Sequence, residues 1–91
     1  MRATITLEEA ERIMSAVKNK ESLVIAKENW PGDSTGIVYT AKSASFAVSV
    51  AGMYILLEEV RLADIGPDGR SERVRLYVLG RGGPVVIPIE G

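Results

Sequence analysis

The 91-residue sequence contains no cysteine and no histidine. That removes disulfides, thiolate nucleophiles, the usual Cys/His zinc sites, the Ser-His-Asp arrangement and the commonest general base. Carboxylates, lysine, tyrosine and hydroxyls are what remain for chemistry. No run reaches the roughly 18 apolar residues of a membrane span. The opening Met1-Arg2-Ala3-Thr4-Ile5-Thr6-Leu7-Glu8-Glu9 carries charges where a signal peptide needs an apolar core. An excess of one charge is lacking as well, since 11 Lys plus Arg stand against 12 Asp plus Glu for a net charge of -1. Such a balance gives no global attraction to phosphate or to an anionic membrane, so a nucleic acid would have to be held by a local patch. These absences predict a soluble, cytoplasmic, non-enzymatic protein with no cofactor, no metal and no membrane partner.

A chain of this size fits a single domain, 1–91, and buries only about 60–65% of its unfolded surface. Its own core supplies modest stability, which association with further copies would raise. Thr6-Leu7-Glu8-Glu9 has the form of a capping box, in which a threonine hydroxyl and a glutamate three residues later satisfy each other's backbone N–H groups. Leu7, Ala10, Ile13, Met14 and Val17 follow at helical spacing, with Lys18 and Lys20 where the helix dipole favours cations. The spacing predicts a helix over about 7–19 that lays one apolar stripe on a sheet.

From about residue 22 to 90 the pattern is that of strands: Leu23 to Lys27, Ile37 to Ala41, Phe46 to Ala51, Met53 to Ile65, Val74 to Leu79 and Val85 to Ile89. Trp30-Pro31-Gly32-Asp33 reads as a turn. A helix followed by five or six short strands predicts an α+β, mostly β fold. Parity in the hairpin around residue 67 favours a three-residue loop, Pro67-Asp68-Gly69, with Leu62 opposite Val74 and Val60 opposite Leu76. That register sets Glu59 and Arg61 on an outer face with Arg73, Arg75 and Tyr77, and Glu59 diagonal to Arg75. Residues 43–57 carry no charge, and Tyr54, Ile55, Leu56 and Leu57 are consecutively apolar. Both faces of that strand are therefore expected to be covered, by a curled sheet or by a neighbouring subunit. Pro84 and Pro88 place the last strand at an edge.

Few residues carry chemistry. Glu58-Glu59 is a poor acid/base pair, because neighbours on a regular strand point to opposite faces. Asp33 and Asp68 are explained by their turns, and Trp30 closes the end of a core more naturally than it stacks on a ligand. Arg70, Arg73, Arg75 and Arg81 form a local cation excess interrupted by Glu72, which fits a solvated or salt-bridged strand face. Arg81-Gly82-Gly83 has a freed backbone and a guanidinium able to grip phosphate or stack on a base, although an ordinary hairpin turn uses the same residues.

Leu57-Glu58-Glu59-Val60 and the charged hairpin after it resemble the fourth-strand region of the Sm and Sm-like (LSm) family. Leu79-Gly80-Arg81-Gly82-Gly83-Pro84-Val85-Val86-Ile87 is similar to that family's ending, an apolar residue before Arg-Gly, two turn residues and a Val/Ile strand. Gly36 matches the glycine that opens the family's bent second strand, whereas Lys42 and Phe46 stand where its loop carries Asp and Asn. The resemblance implies an N-terminal helix followed by a small, strongly bent five-stranded antiparallel barrel of the SH3-like or Sm-like kind. It implies a homo-oligomeric ring, a hexamer or heptamer, in which the fourth and fifth strands pair across subunits. Tyr54, Leu56, Val78, Val85, Val86 and Ile87 are the expected interface residues. Lys42, Phe46, Arg81 and Gly82 would then meet near the pore and hold single-stranded RNA. The alternative is an SH3-like interaction or assembly module of phage or mobile-element type, binding a protein along its apolar edge without RNA.

Overall fold

A computed structural model describes residues 4–26, 36–48, 53–64 and 74–90. In chain order the elements are β1 (Ile5–Thr6), α1 (Leu7–Asn19), β2 (Leu23–Ile25), β3 (Ile37–Thr40), β4 (Ser45–Val48), β5 (Met53–Asp64), β6 (Val74–Gly80) and β7 (Val85–Glu90). The turns expected at Trp30 to Asp33 and at Pro67 to Gly69 lie outside the described residues.

The capping box forms as its spacing requires. The Thr6 hydroxyl accepts from the Glu9 N–H at 3.1 Å, and the Glu9 carboxylate accepts from the Thr6 N–H at 2.8 Å. Two orphan donors at the helix start are thereby satisfied. At the other end Lys20 takes the left-handed conformation, φ 55, and the Glu21 N–H reaches the Ala16 carbonyl at 2.8 Å. The buried face of α1 is Ala10, Ile13 and Ala16, with Met14 and Val17 packed beside it. Leu7, expected on that stripe, is exposed; the stripe starts one turn later because β1 leads directly into the helix.

The strands form one mixed sheet in the order β1-β7-β6-β5-β4-β3-β2. Every pairing is antiparallel except the short parallel one that sets Ile5 against Ile89 and Thr6 against Glu90. Among the described residues the sheet has seven strands and does not close, with β2 and β1 at its two edges, so the expected five-stranded barrel is not seen in the pairing. The strand missed by sequence reasoning is β1, two residues too short to show any alternation. Helix α1 touches β1, β2, β5 and β7, so it lies across the gap that strand pairing leaves open.

β5 is the spine of the sheet, since its first part pairs with β4 and its second with β6. Between them the pairing passes from Leu57 opposite Gly80 to Glu59 opposite Leu79, so Glu58 is an extra residue on β5. Such a bulge reverses which parity faces the core. Ile55 is buried and Leu57 half-buried before it, whereas Val60 and Leu62 pack on the core after it. Glu58 and Glu59 are consequently both exposed, contrary to the alternation a regular strand would give.

The β5–β6 register corrects the expected hairpin. Val60 pairs with Val78, Leu62 with Leu76, and Asp64 with Val74, a slide of two residues from the parity-based assignment. A slide of two returns every side chain to its own face, so a parity test cannot detect it. Arg61 accordingly faces Tyr77 rather than Arg75, its guanidinium 4.7 Å from the ring centroid, and its Nε lies 3.0 Å from Glu59 Oε1. Ala63 is the residue opposite Arg75.

One core joins all parts. Ile5, Ala10, Ile13, Ile25, Ile37, Tyr39, Phe46, Val48, Leu76, Val78 and Ile87 form a single buried cluster, so α1 and both limbs of the bent sheet face the same interior. Burying each large aliphatic or aromatic member contributes about 1.5–3 kcal/mol.

Candidate nucleic-acid interface

Two tight turns flank the bend of β5. The turn between β3 and β4, Ala41 to Ala44, is closed by the Ala44 N–H on the Ala41 carbonyl at 3.3 Å. Its Ala44 carbonyl accepts from the Leu57 N–H at 2.9 Å. The turn between β6 and β7 is closed by the Gly83 N–H on the Gly80 carbonyl at 3.0 Å, and Gly83 has φ +100, a conformation that only glycine takes without strain. There the Arg81 N–H donates to the Leu56 carbonyl at 3.3 Å. Consecutive residues of β5, Leu56 and Leu57, thus anchor the turns that carry Arg81 and Lys42. Both cationic side chains are exposed, as are Gly82 and, in the bulge beside them, Glu58.

Gly80 is what lets the second turn come so close. A Cβ there would run into the Ile55 side chain and the Leu56 carbonyl, whereas one at Gly82 would meet nothing within 4 Å. The first glycine is dictated by packing against β5 and the second is not.

The first turn continues into a chain of hydroxyls. Ser43 Oγ and Ser45 Oγ are 2.7 Å apart, and Ser45 Oγ accepts from the Tyr54 hydroxyl at 2.8 Å. Ser45 is buried and fully satisfied, while Tyr54 is 68% exposed. Register explains the arrangement: Ala47 opposes Tyr54 and Ser45 opposes Leu56, so Tyr54 reaches diagonally across the strand pair to Ser45.

Of the expected RNA-binding residues, Lys42, Arg81 and Gly82 are exposed on the two turns that bond to β5, whereas Phe46 is removed from the set. Phe46 is completely buried at the centre of the core, so its ring offers no face to a ligand. Among the expected interface residues, Val78 and Ile87 are core side chains of their own chain, Val85 is half-buried, and Tyr54, Leu56 and Val86 are exposed. The outer side of the β2–β5 limb follows from the pairing: Val24, Val38, Ala47 and Tyr54 form one row, with Thr40, Ser45 and Leu56 in the next. No charged residue belongs to either row. Within this chain only one face of this part of β5 is covered, that of buried Ile55 and half-buried Leu57, while Tyr54 and Leu56 face outward.

Elsewhere the chemistry is sparse. A shallow cleft between α1 and β2 is lined by Arg12, Ser15, Glu21 and Ser22. Its hydroxyls are engaged locally, Ser15 accepting from Asn19 at 3.3 Å and Ser22 from the Ala41 N–H at 3.2 Å. Among the described residues no three carboxylates cluster as metal ligands, and no helix is long and apolar enough to cross a membrane. Compared with protein-family models, curated proteins and solved structures, the chain matches none.

Proposed function

We propose that this chain is a non-enzymatic, Sm-like small β module that assembles with copies of itself and binds single-stranded RNA at the two adjoining turns. The observation that carries the reading is the anchoring of the Lys42 turn and the Arg81 turn on neighbouring residues of β5. Two exposed cations that are distant in sequence stand on turns anchored to the same strand, and a chain of net charge -1 needs such a local patch to hold phosphates. The assembly proposed is the ring of six or seven that the family resemblance implies. Because β7 pairs with β6 along one edge inside the chain, the contact between subunits falls on its other edge, where β1 pairs only with Ile89 and Glu90 and where Val86 is exposed.

The test combines solution mass with affinity. Light scattering behind a sizing column should return six or seven subunits, and a monomer would end the ring. Fluorescence anisotropy with a labelled single-stranded RNA of about 15 nucleotides should show binding that Arg81→Ala weakens several-fold without changing the mass. Unchanged affinity would remove Arg81 from the site.

A second reading is favoured by the uncharged outer rows of the β2–β5 limb, where Val24 is 61% and Leu56 44% exposed. An SH3-like module that binds a protein partner there would return one protein and no RNA in a pull-down.

A further inference from the structure

We propose that Tyr54 is the base-stacking platform of the two-turn site. The inference rests on the RNA-binding reading above and supplies the aromatic element that the burial of Phe46 leaves vacant. Three observations place it there. The Tyr54 ring is 68% exposed, the most exposed of the large apolar side chains on the described surface. Its hydroxyl is held at 2.8 Å by Ser45, itself only 2% exposed and bonded to Ser43 in the same turn as Lys42. Tyr54 also lies two residues before Leu56, whose carbonyl holds the Arg81 turn, a separation of about 7 Å along the strand.

The tethered hydroxyl fixes the ring while leaving most of it open, so little side-chain freedom is lost when a base stacks on it. The phenol points to Ser45 and so toward the turn that carries Lys42, while Arg81 stands on the turn anchored at Leu56; the two cations take the phosphates on either side of the stacked base. Arg61, the other cation near an aromatic, is already placed over Tyr77 and bonded to Glu59. Stacking uses a π-face that every base possesses, so the site selects single strands over duplexes and discriminates weakly among bases. Exposed Glu58, in the bulge next to Leu57, is the opposing charge and limits affinity.

The experiment measures anisotropy of labelled oligouridine, oligoadenine and a duplex RNA of equal length against the native chain, Tyr54→Ala, Tyr54→Phe and Arg81→Ala, with thermal melting as the check on folding. Tyr54→Ala should weaken single-strand binding about 5- to 150-fold, the range of one lost base–aromatic stack. Tyr54→Phe keeps the π-face and should stay within about threefold of the native chain, a rescue that a purely structural hydroxyl role would not give. Duplex binding should be weak and indifferent to Tyr54. If Arg81→Ala weakens binding and Tyr54→Ala does not, the platform is elsewhere and the RNA reading survives. If the native chain binds none of the strands, both are overturned.

Discussion

Gly80→Ala tests the packing on which the site depends. The added methyl has nowhere to go, because its direction is filled by the Ile55 side chain and the backbone carbonyl of Leu56. A side chain yields by changing rotamer at modest cost; a carbonyl in the middle of a paired strand moves only if the strand moves. Overpacking a well-filled interior costs about 1–3 kcal/mol, and the backbone obstruction puts this site at the upper end. Against that stands the about 0.4–1 kcal/mol that alanine gains over glycine by restricting the unfolded chain. The expected net loss is about 2 kcal/mol, which for a domain of this size lowers Tm by about 8–16 °C. The assay is urea unfolding followed by circular dichroism, with thermal melting alongside. Gly82→Ala is the control, since a Cβ there meets nothing within 4 Å; it should lie within about 0.5 kcal/mol of the native chain. Two results would refute the reasoning: Gly80→Ala as stable as the native protein, or Gly82→Ala as damaging as Gly80→Ala. The same substitution pushes the Arg81 turn away from Leu56, so RNA affinity should fall with it, and restoring stability with an osmolyte should not restore binding.

Thr6→Ala removes the hydroxyl that accepts the Glu9 N–H and should cost about 1 kcal/mol in urea unfolding, with Thr6→Ser recovering most of it; a loss below about 0.3 kcal/mol would mean that β1, not the cap, fixes the helix start. Glu58→Gln takes away the exposed negative charge in the bulge next to Leu57 and, on the RNA-binding proposal, should tighten binding at low salt, with the gain fading as salt rises. A gain that is independent of salt would place Glu58 in direct contact with the ligand rather than in its field.

Sequence alone located α1 to its end residues, because a capping box and a periodic apolar stripe are local signals that report on their own neighbourhood. Six strand segments were legible for the same reason. What could not be read depends on partners distant in the chain. β1 exists only because Ile89 and Glu90 lie beside it. The Glu58 bulge hides in a run, Ile55-Leu56-Leu57, whose apolar residues fit either parity, so nothing local marks where the facing reverses. The two-residue slide of β6 against β5 preserves every face and escapes any test based on alternation. Phe46 and Tyr54 show the limit at the site itself: both lie in the uncharged stretch 43–57, and only the strand pairing reveals that Phe46 fills the core while Tyr54 stands outside it. The Arg81 turn was legible as a candidate from its glycines. That its turn and the Lys42 turn share β5 as an anchor was not derivable from spacing, since two backbone hydrogen bonds to β5 create the arrangement.

The parallel pairing of β1 with β7 also sets the order in which this chain can complete itself. The Thr4 hydroxyl bonds to the Glu90 carboxylate 86 positions away, and the fully buried Ile5 pairs with Ile89. A ribosome delivers Ile5 well before Ile89, so β1 waits unpaired while the antiparallel meander from β2 to β6 assembles behind it. The helix that follows β1 keeps part of its apolar face uncovered over the same interval, because β7 is one of the strands it packs against. Such long-range closure is slow compared with hairpin formation, so the pairing of β1 with β7 is expected to come after the hairpins of the meander have formed.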